Sequence, residues 1–194
     1  MSSFAVCEKS YDKSLMDLSF KADQAQENYN KSSVRREILQ YIMAADYRII
    51  FRKKDLENIK EFARMYERVF FGDNTDNSLG DAFRHFYGNL LLFWHYDEWM
   101  AKRVPAINEV GQYDIRALMD HYNNMRSLEF IKKHKDEIKG ICNVDFLAYY
   151  ARDILEKTEL VVLDTEHGET ELACKNIPTF LTWSEEFLKN VPGN

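Results

Sequence analysis

Chain breakers and cross-links are scarce in this sequence. Gly occurs 7 times and Pro 3 times among 194 residues, which argues against a fold rich in strands and tight turns and leaves room for long helices. Cys occurs 3 times, as Cys7, Cys142 and Cys174, far apart and in no Cys-x-x-Cys pair. That spacing argues against a disulfide framework or a zinc knuckle and points to a reducing, cytoplasmic setting. The opening residues MSSFAVCEKSYDKS hold no apolar run of signal-peptide length, and no later segment reads as a membrane span. Positive charge is in deficit: 26 Lys and Arg against 32 Asp and Glu give a net charge of −6. A nucleic-acid binder usually shows a basic balance, so nucleic acid is a disfavoured partner. The chain also lacks a P-loop, a Gly-x-Gly-x-x-Gly turn, a Gly-x-Ser-x-Gly elbow and a His-Glu-x-x-His pair.

What is present is apolar and helical in period. Hydrophobic residues make up 45% of the chain and charged residues 30%, enough for a packed core. The stretch 81–104, DAFRHFYGNLLLFWHYDEWMAKRV, carries apolar residues at 83, 86, 87, 90 and 94, and positions 90 to 94 are apolar without a break. A helix apolar nearly all round is a central one, covered by its neighbours. The fold expected is therefore mainly α, a bundle of about six helices around this central apolar helix.

Around it the chain reads in order. Residues 1–10 look like a flexible N-terminus, and 11–194 read as a single helical domain. Tyr11, Leu15, Leu18, Ala22, Ala25 and Tyr29 step by fours and threes, the seam of a helix laid along another. That 11–29 seam packs within the bundle or joins a second copy as a homo-oligomer. Helices are expected over 34–51 and 55–71, the second ended by Gly72. The polar loop 73–78 suggests calcium, but the sixth and twelfth places from Asp73 hold Ser78 and Arg84 instead of Gly and Glu. Ser78 with Asp81 reads as a capping box. A linker follows Pro105. A helix runs from Tyr113 to Lys139, and Asn143 caps another over 144–158. Leu160 to Leu163 is short and β-branched, which predicts a short β-hairpin over 160–174, with a helix extended to Leu163 as the rival. Thr182 and Glu185 predict a capping box for a last helix over 183–191. Residues 159–194 thus form part of the domain or an appended C-terminal element.

The histidines suggest no metal or cofactor site. His85 and His95 stand roughly 80° apart and about three turns along one helix, too far to share an ion. His95-x-x-Glu98 reverses the Glu-x-x-His order of di-iron bundles, and Glu98 with Lys102 makes an i,i+4 surface pair.

Arg116-Ala117-Leu118-Met119-Asp120-His121 stands near the start of a long helix. It resembles the Arg-x4-His signature of HEPN-domain ribonucleases, which are all-helical, usually dimeric and metal-independent. The resemblance implies that His121 acts in general acid/base chemistry on an RNA 2′-hydroxyl and that Arg116 steadies the phosphate.

Three functions follow. The leading expectation is a small acidic soluble protein that acts by binding another protein, such as an inhibitor, an immunity protein or a phage or mobile-element accessory factor. The second is the metal-independent ribonuclease with Arg116 and His121 as catalytic pair. The third is a ligand-binding helical bundle with Trp94, His95, Tyr96 and Trp99 around a pocket against the central helix.

Overall fold

A computed structural model describes residues 3–31, 40, 45, 46, 49, 52–73, 78–162 and 171–191. Among them are eight α-helices, one 3-10 turn and no strand: α1 Ser3–Lys31, α2 Lys53–Phe71, α3 Leu79–His95, α4 Glu98–Glu109, α5 Ile115–Lys133, α6 Lys135–Gly140, α7 Val144–Ile154, the turn Leu155–Lys157, and α8 Glu171–Leu188. No described helix is long and apolar enough to cross a membrane. The helix expected over 34–51 and most of the polar loop 73–78 lie outside the described residues.

Helix α3 is central, as its composition requires. Phe83, Phe86, Tyr87, Leu90 and Leu91 are at most 1% exposed, and α2, α4, α5 and α7 pack around it. Tyr87 stacks on Phe83 and meets Tyr66 of α2 edge-on. Ser78 caps the helix by accepting from Gly80 N–H at 3.2 Å. At the other end Lys139 donates to the carbonyls of Trp94 and Tyr96 at 2.9 and 3.0 Å. A cation there complements the negative end of the helix dipole.

The stretch 81–104 is two helices rather than one. Asp97 is extended and accepts from Met100 N–H at 2.9 Å, so it starts α4. Pro105 lies inside α4 instead of ending it. It stands in the eighth place of that helix, so its missing N–H forfeits one helical bond. The expected linker to Gln112 shrinks accordingly to the turn after Glu109. Asn143 caps α7 as its sequence predicts, Asp114 caps α5, which starts at Ile115 rather than Tyr113, and Gly72, at φ 85°, ends α2. The helix expected to reach Lys139 breaks at His134, where α6 begins.

Two apolar clusters share the molecule. One surrounds α3 with α2, α7 and the end of α5, and the other joins α1, the start of α5 and α8. Helix α1 begins at Ser3 rather than Tyr11. Its seam residues Leu18, Ala22, Ala25 and Tyr29 are buried within the chain, at most 2% exposed, while Met16 and Phe20 are exposed.

The segment 160–162 runs between the two clusters. Leu160 and Val162 enter the first and Val161 the second, the alternation of an extended chain. Its partners are side-chain amides instead of a second strand. Asn123 of α5 donates to Val161 C=O at 2.9 Å and accepts from Val161 N–H at 2.8 Å. Asn176 of α8 donates to Leu160 C=O at 2.8 Å. The expected hairpin is not seen among the described residues, because residues 171–174, its return strand, belong to α8. That helix runs through Pro178, and Thr182 Oγ1 donates to Pro178 C=O at 3.1 Å rather than capping a new helix.

Asn123 is fully buried and satisfies both polar groups of Val161. Asn123→Ala is expected to cost about 3 kcal/mol, because an N–H and a C=O lose their partners away from water. Urea unfolding measures it, and a loss under about 1 kcal/mol would mean that 160–162 is held some other way.

Candidate functional site

Helix α3 has a polar stripe within its buried length. Asp81, Arg84, His85, Gly88 and Asn89 recur at steps of three and four, so they share one face. Opposite stand Glu67 and its α2 neighbours Lys60, Ala63 and Arg64, also at helical spacing, and Asp120 and Asn124 of α5. Together with α4 they enclose a cleft of about 910 Å3. Leu56, Ile59, Leu92, Val104, Pro105 and Ile107 give its apolar walls, and Lys53, Lys60 and Arg64, with Glu57 4.0 Å from Lys53, its exposed and mainly cationic rim.

The floor is a connected charge cluster. Arg84 Nη1 donates to both oxygens of Glu67 at 3.0 and 3.3 Å, and its other terminal nitrogen pairs with Asp81. The side chains of Glu67 and Asp81 are 7% and 5% exposed. Buried carboxylates are tolerable only with such a partner. His85 Nε2 lies 3.0 Å from Asp120 Oδ1 and 3.5 Å from Asp81 Oδ1. Its Nδ1 lies 3.3 Å from Asn124 Oδ1, and Asn89 Nδ2 holds that oxygen at 2.8 Å while also donating to His85 C=O at 2.9 Å. Burial pushes the imidazole down. The carboxylate of Asp120, then those of Asp81 and Glu109, outweigh it and bring the group to about 9. Both ring nitrogens face acceptors, the arrangement of an imidazolium. Asn89 Oδ1 and Asn124 Nδ2 are buried and have no hydrogen-bond partner. Asn89 is 1% exposed and Asn124 8%.

The sequence-predicted site residues fall elsewhere. Arg116 is exposed on the first turn of α5. His121 is half-buried, with Nε2 3.2 Å from Gln112 C=O and its ring against Phe187 at 4.9 Å. Burial pushes its imidazole down. No hydrogen bond or ion pair joins the two among the described residues, and neither lines the cleft. Trp94, His95, Tyr96 and Trp99 do not line it either. Trp94 Nε1 donates to Ile141 C=O at 2.9 Å, and Arg52 covers the Tyr96 ring at 4.4 Å. Glu98 pairs across helices with Lys135 at 2.7 Å rather than with Lys102.

The residues of the cleft floor were readable only as a stripe. Asp81 and His85 stand at i,i+4, within an uninterrupted helical pattern, but Asp120 and Asn124 come from 35 or more positions away. Searches against family models, curated proteins and solved structures find no match for this chain.

Removing the guanidinium tests how far the cluster depends on it. Arg84→Ala takes from the buried Glu67 and Asp81 the guanidinium that they share and is expected to cost about 3 kcal/mol at neutral pH. Denaturant unfolding reads this; a loss within about 0.5 kcal/mol, the range of an ordinary surface substitution, would show that the cluster is hydrated rather than buried.

Proposed function

We propose that the protein is a ligand-binding helical bundle whose cleft along α3 takes a small amphiphilic anion. The observation that supports this is the cleft itself. It has the size of small-molecule sites, with apolar walls and a few converging polar groups. Two amide atoms on its floor, Asn89 Oδ1 and Asn124 Nδ2, are buried without partners, and a ligand group would satisfy them. The Lys53, Lys60 and Arg64 rim favours negative charge at the mouth. This keeps the bundle expected from the sequence and moves its pocket about two turns along the central helix.

A second reading is supported by a different surface. Phe62, Met65 and Val69 of α2, with Phe146 and Tyr149 of α7, are 38–63% exposed. The two helices touch through Phe70 and Tyr149, so the two exposed sets stand on neighbouring helices. Exposed apolar groups gathered in this way are a mark of binding surfaces, which favours action on a protein partner, as an inhibitor, immunity protein or accessory factor would act. The ribonuclease reading on Arg116 and His121 gains no support from this geometry.

One titration separates the two. The probe is 8-anilino-1-naphthalenesulfonate, an anion with an apolar body. A Cβ on Gly88 would meet only Ala63 Cβ, at 3.9 Å, and Gly88 lines the cleft, so Gly88→Leu is the variant chosen to fill it. Wild type is expected to bind one equivalent, Gly88→Leu about tenfold more weakly, and Val69→Lys as wild type does. Unchanged binding by Gly88→Leu contradicts the cleft reading. If Val69→Lys alone removes binding, the exposed stripe is the binding surface.

A further inference from the structure

Three potential metal ligands from two helices converge at the cleft floor, which two of them, His85 and Asp120, line. Asp81 and His85 lie one turn apart on α3, and Asp120 faces them from α5. One ligand atom from each lies within 4.8 Å of the others. The two distances to His85 Nε2 are 3.0 and 3.5 Å. Two ligand atoms each roughly 2.1 Å from an ion, and about 90–110° apart, stand roughly 3.0–3.4 Å from one another. The two distances to His85 Nε2 are close to that spacing.

We infer that Asp81, His85 and Asp120 form a binding site for one divalent transition-metal ion. It deepens the reading of the cleft as a ligand site by placing an ion on the floor. The imidazole nitrogen favours a first-row metal such as Mn2+ or Zn2+ over Mg2+ or Ca2+. The surroundings support the ligand set. Asn124 Oδ1 accepts at Nδ1, which keeps a proton there and leaves Nε2, the nitrogen that faces the two carboxylates, to exchange its proton for an ion. Asn89 fixes the Asn124 amide from behind. Asp120 Oδ1 is buried and accepts no well-aligned hydrogen bond. Glu67, Asp81, Glu109 and Asp120 bring four carboxylates close to Arg84 and His85. Arg84 shares Asp81 with the site but keeps both oxygens of Glu67, so an ion does not have to displace it. Three protein ligands leave coordination positions open towards the cleft.

Calorimetric titration of the full chain with Mn2+ tests the site. Wild type is expected to bind one ion. Asn124→Ala, acting only through the His85 ring, weakens binding about tenfold, and His85→Gln and Asp120→Asn about a hundredfold. The exposed control His95→Ala leaves it unchanged. Pulsed electron paramagnetic resonance on wild type does not depend on any variant folding, and one imidazole nitrogen is expected on the bound Mn2+. No saturable binding, no nitrogen coupling, or equal affinity in wild type and His85→Gln would overturn the proposal. Naphthalenesulfonate binding with no Mn2+ binding leaves the cleft reading intact and removes the ion; Mn2+ binding alone does the reverse.

Discussion

The contact on which the rest depends is the meeting of Arg84 and His85 with Glu67, Asp81 and Asp120. Charges this far from water are costly unless each finds a partner, so the helices that carry them are tied in register. Glu67 fixes α2 against α3, and Asp120 fixes α5 against α3. The aromatic face of α3, with Phe83, Phe86 and Tyr87, supplies burial but is less selective about register, because ring contacts tolerate sliding better than paired charges. The polar face supplies the constraint. It also accounts for the cleft: side chains that must stay paired cannot close over one another as leucines do.

The same logic recurs at the junction of the two apolar clusters. An extended segment with no sheet to join has backbone groups to satisfy. Asn123 and Asn176 do this for 160–162, from α5 and α8. Side-chain amides thus do in this chain what a neighbouring strand does in a sheet, and α5 contributes polar residues to both places. Asp120 and Asn124 face the cleft, while Asn123 and Ser127 are turned to the other side, where Ser127 donates to Asn123 C=O at 2.6 Å.

Much of the helical order was legible because its signals are local. Ser78, Asp114 and Asn143 cap helices where they stand before periodic apolar runs, and Gly72 ends one in the conformation that suits glycine. The centrality of α3 followed from its unbroken apolar residues. What escaped was decided by distant contacts. Asp97 restarts the chain after Tyr96 where the apolar pattern runs on, and Pro105 and Pro178 sit inside helices because one lost backbone bond is outweighed by the burial on either side, such as that of Ile177 and Phe180. The β-branched run at 160–162 is extended, as its composition suggests, yet its partners are two asparagines far away in sequence. The site was hidden for a related reason. Asp81, Arg84, His85 and Asn89 were visible as residues, but only the packing of α2 and α5 shows that they share a floor, and the more conspicuous Trp94, His95 and Tyr96 lie outside it.

The account of this molecule therefore stands on His85. If Asp120, Asp81 and Glu109 outweigh its burial, the ring is held as a cation well above the usual range of histidine. Nitrogen-15 chemical shifts of the imidazoles, followed against pH in protein freed of metal with a chelator, test this most directly. The account predicts that both His85 nitrogens carry protons at neutral pH and that the ring titrates at about 9. Sign and consequence agree: a folded-state value above the unfolded one means stability fully present below about 6.5 and lost as pH rises through about 9. A His85 that titrates at or below about 6.5 would show that burial wins over the carboxylates, and that a charged His85–Asp120 pair does not tie α5 to α3.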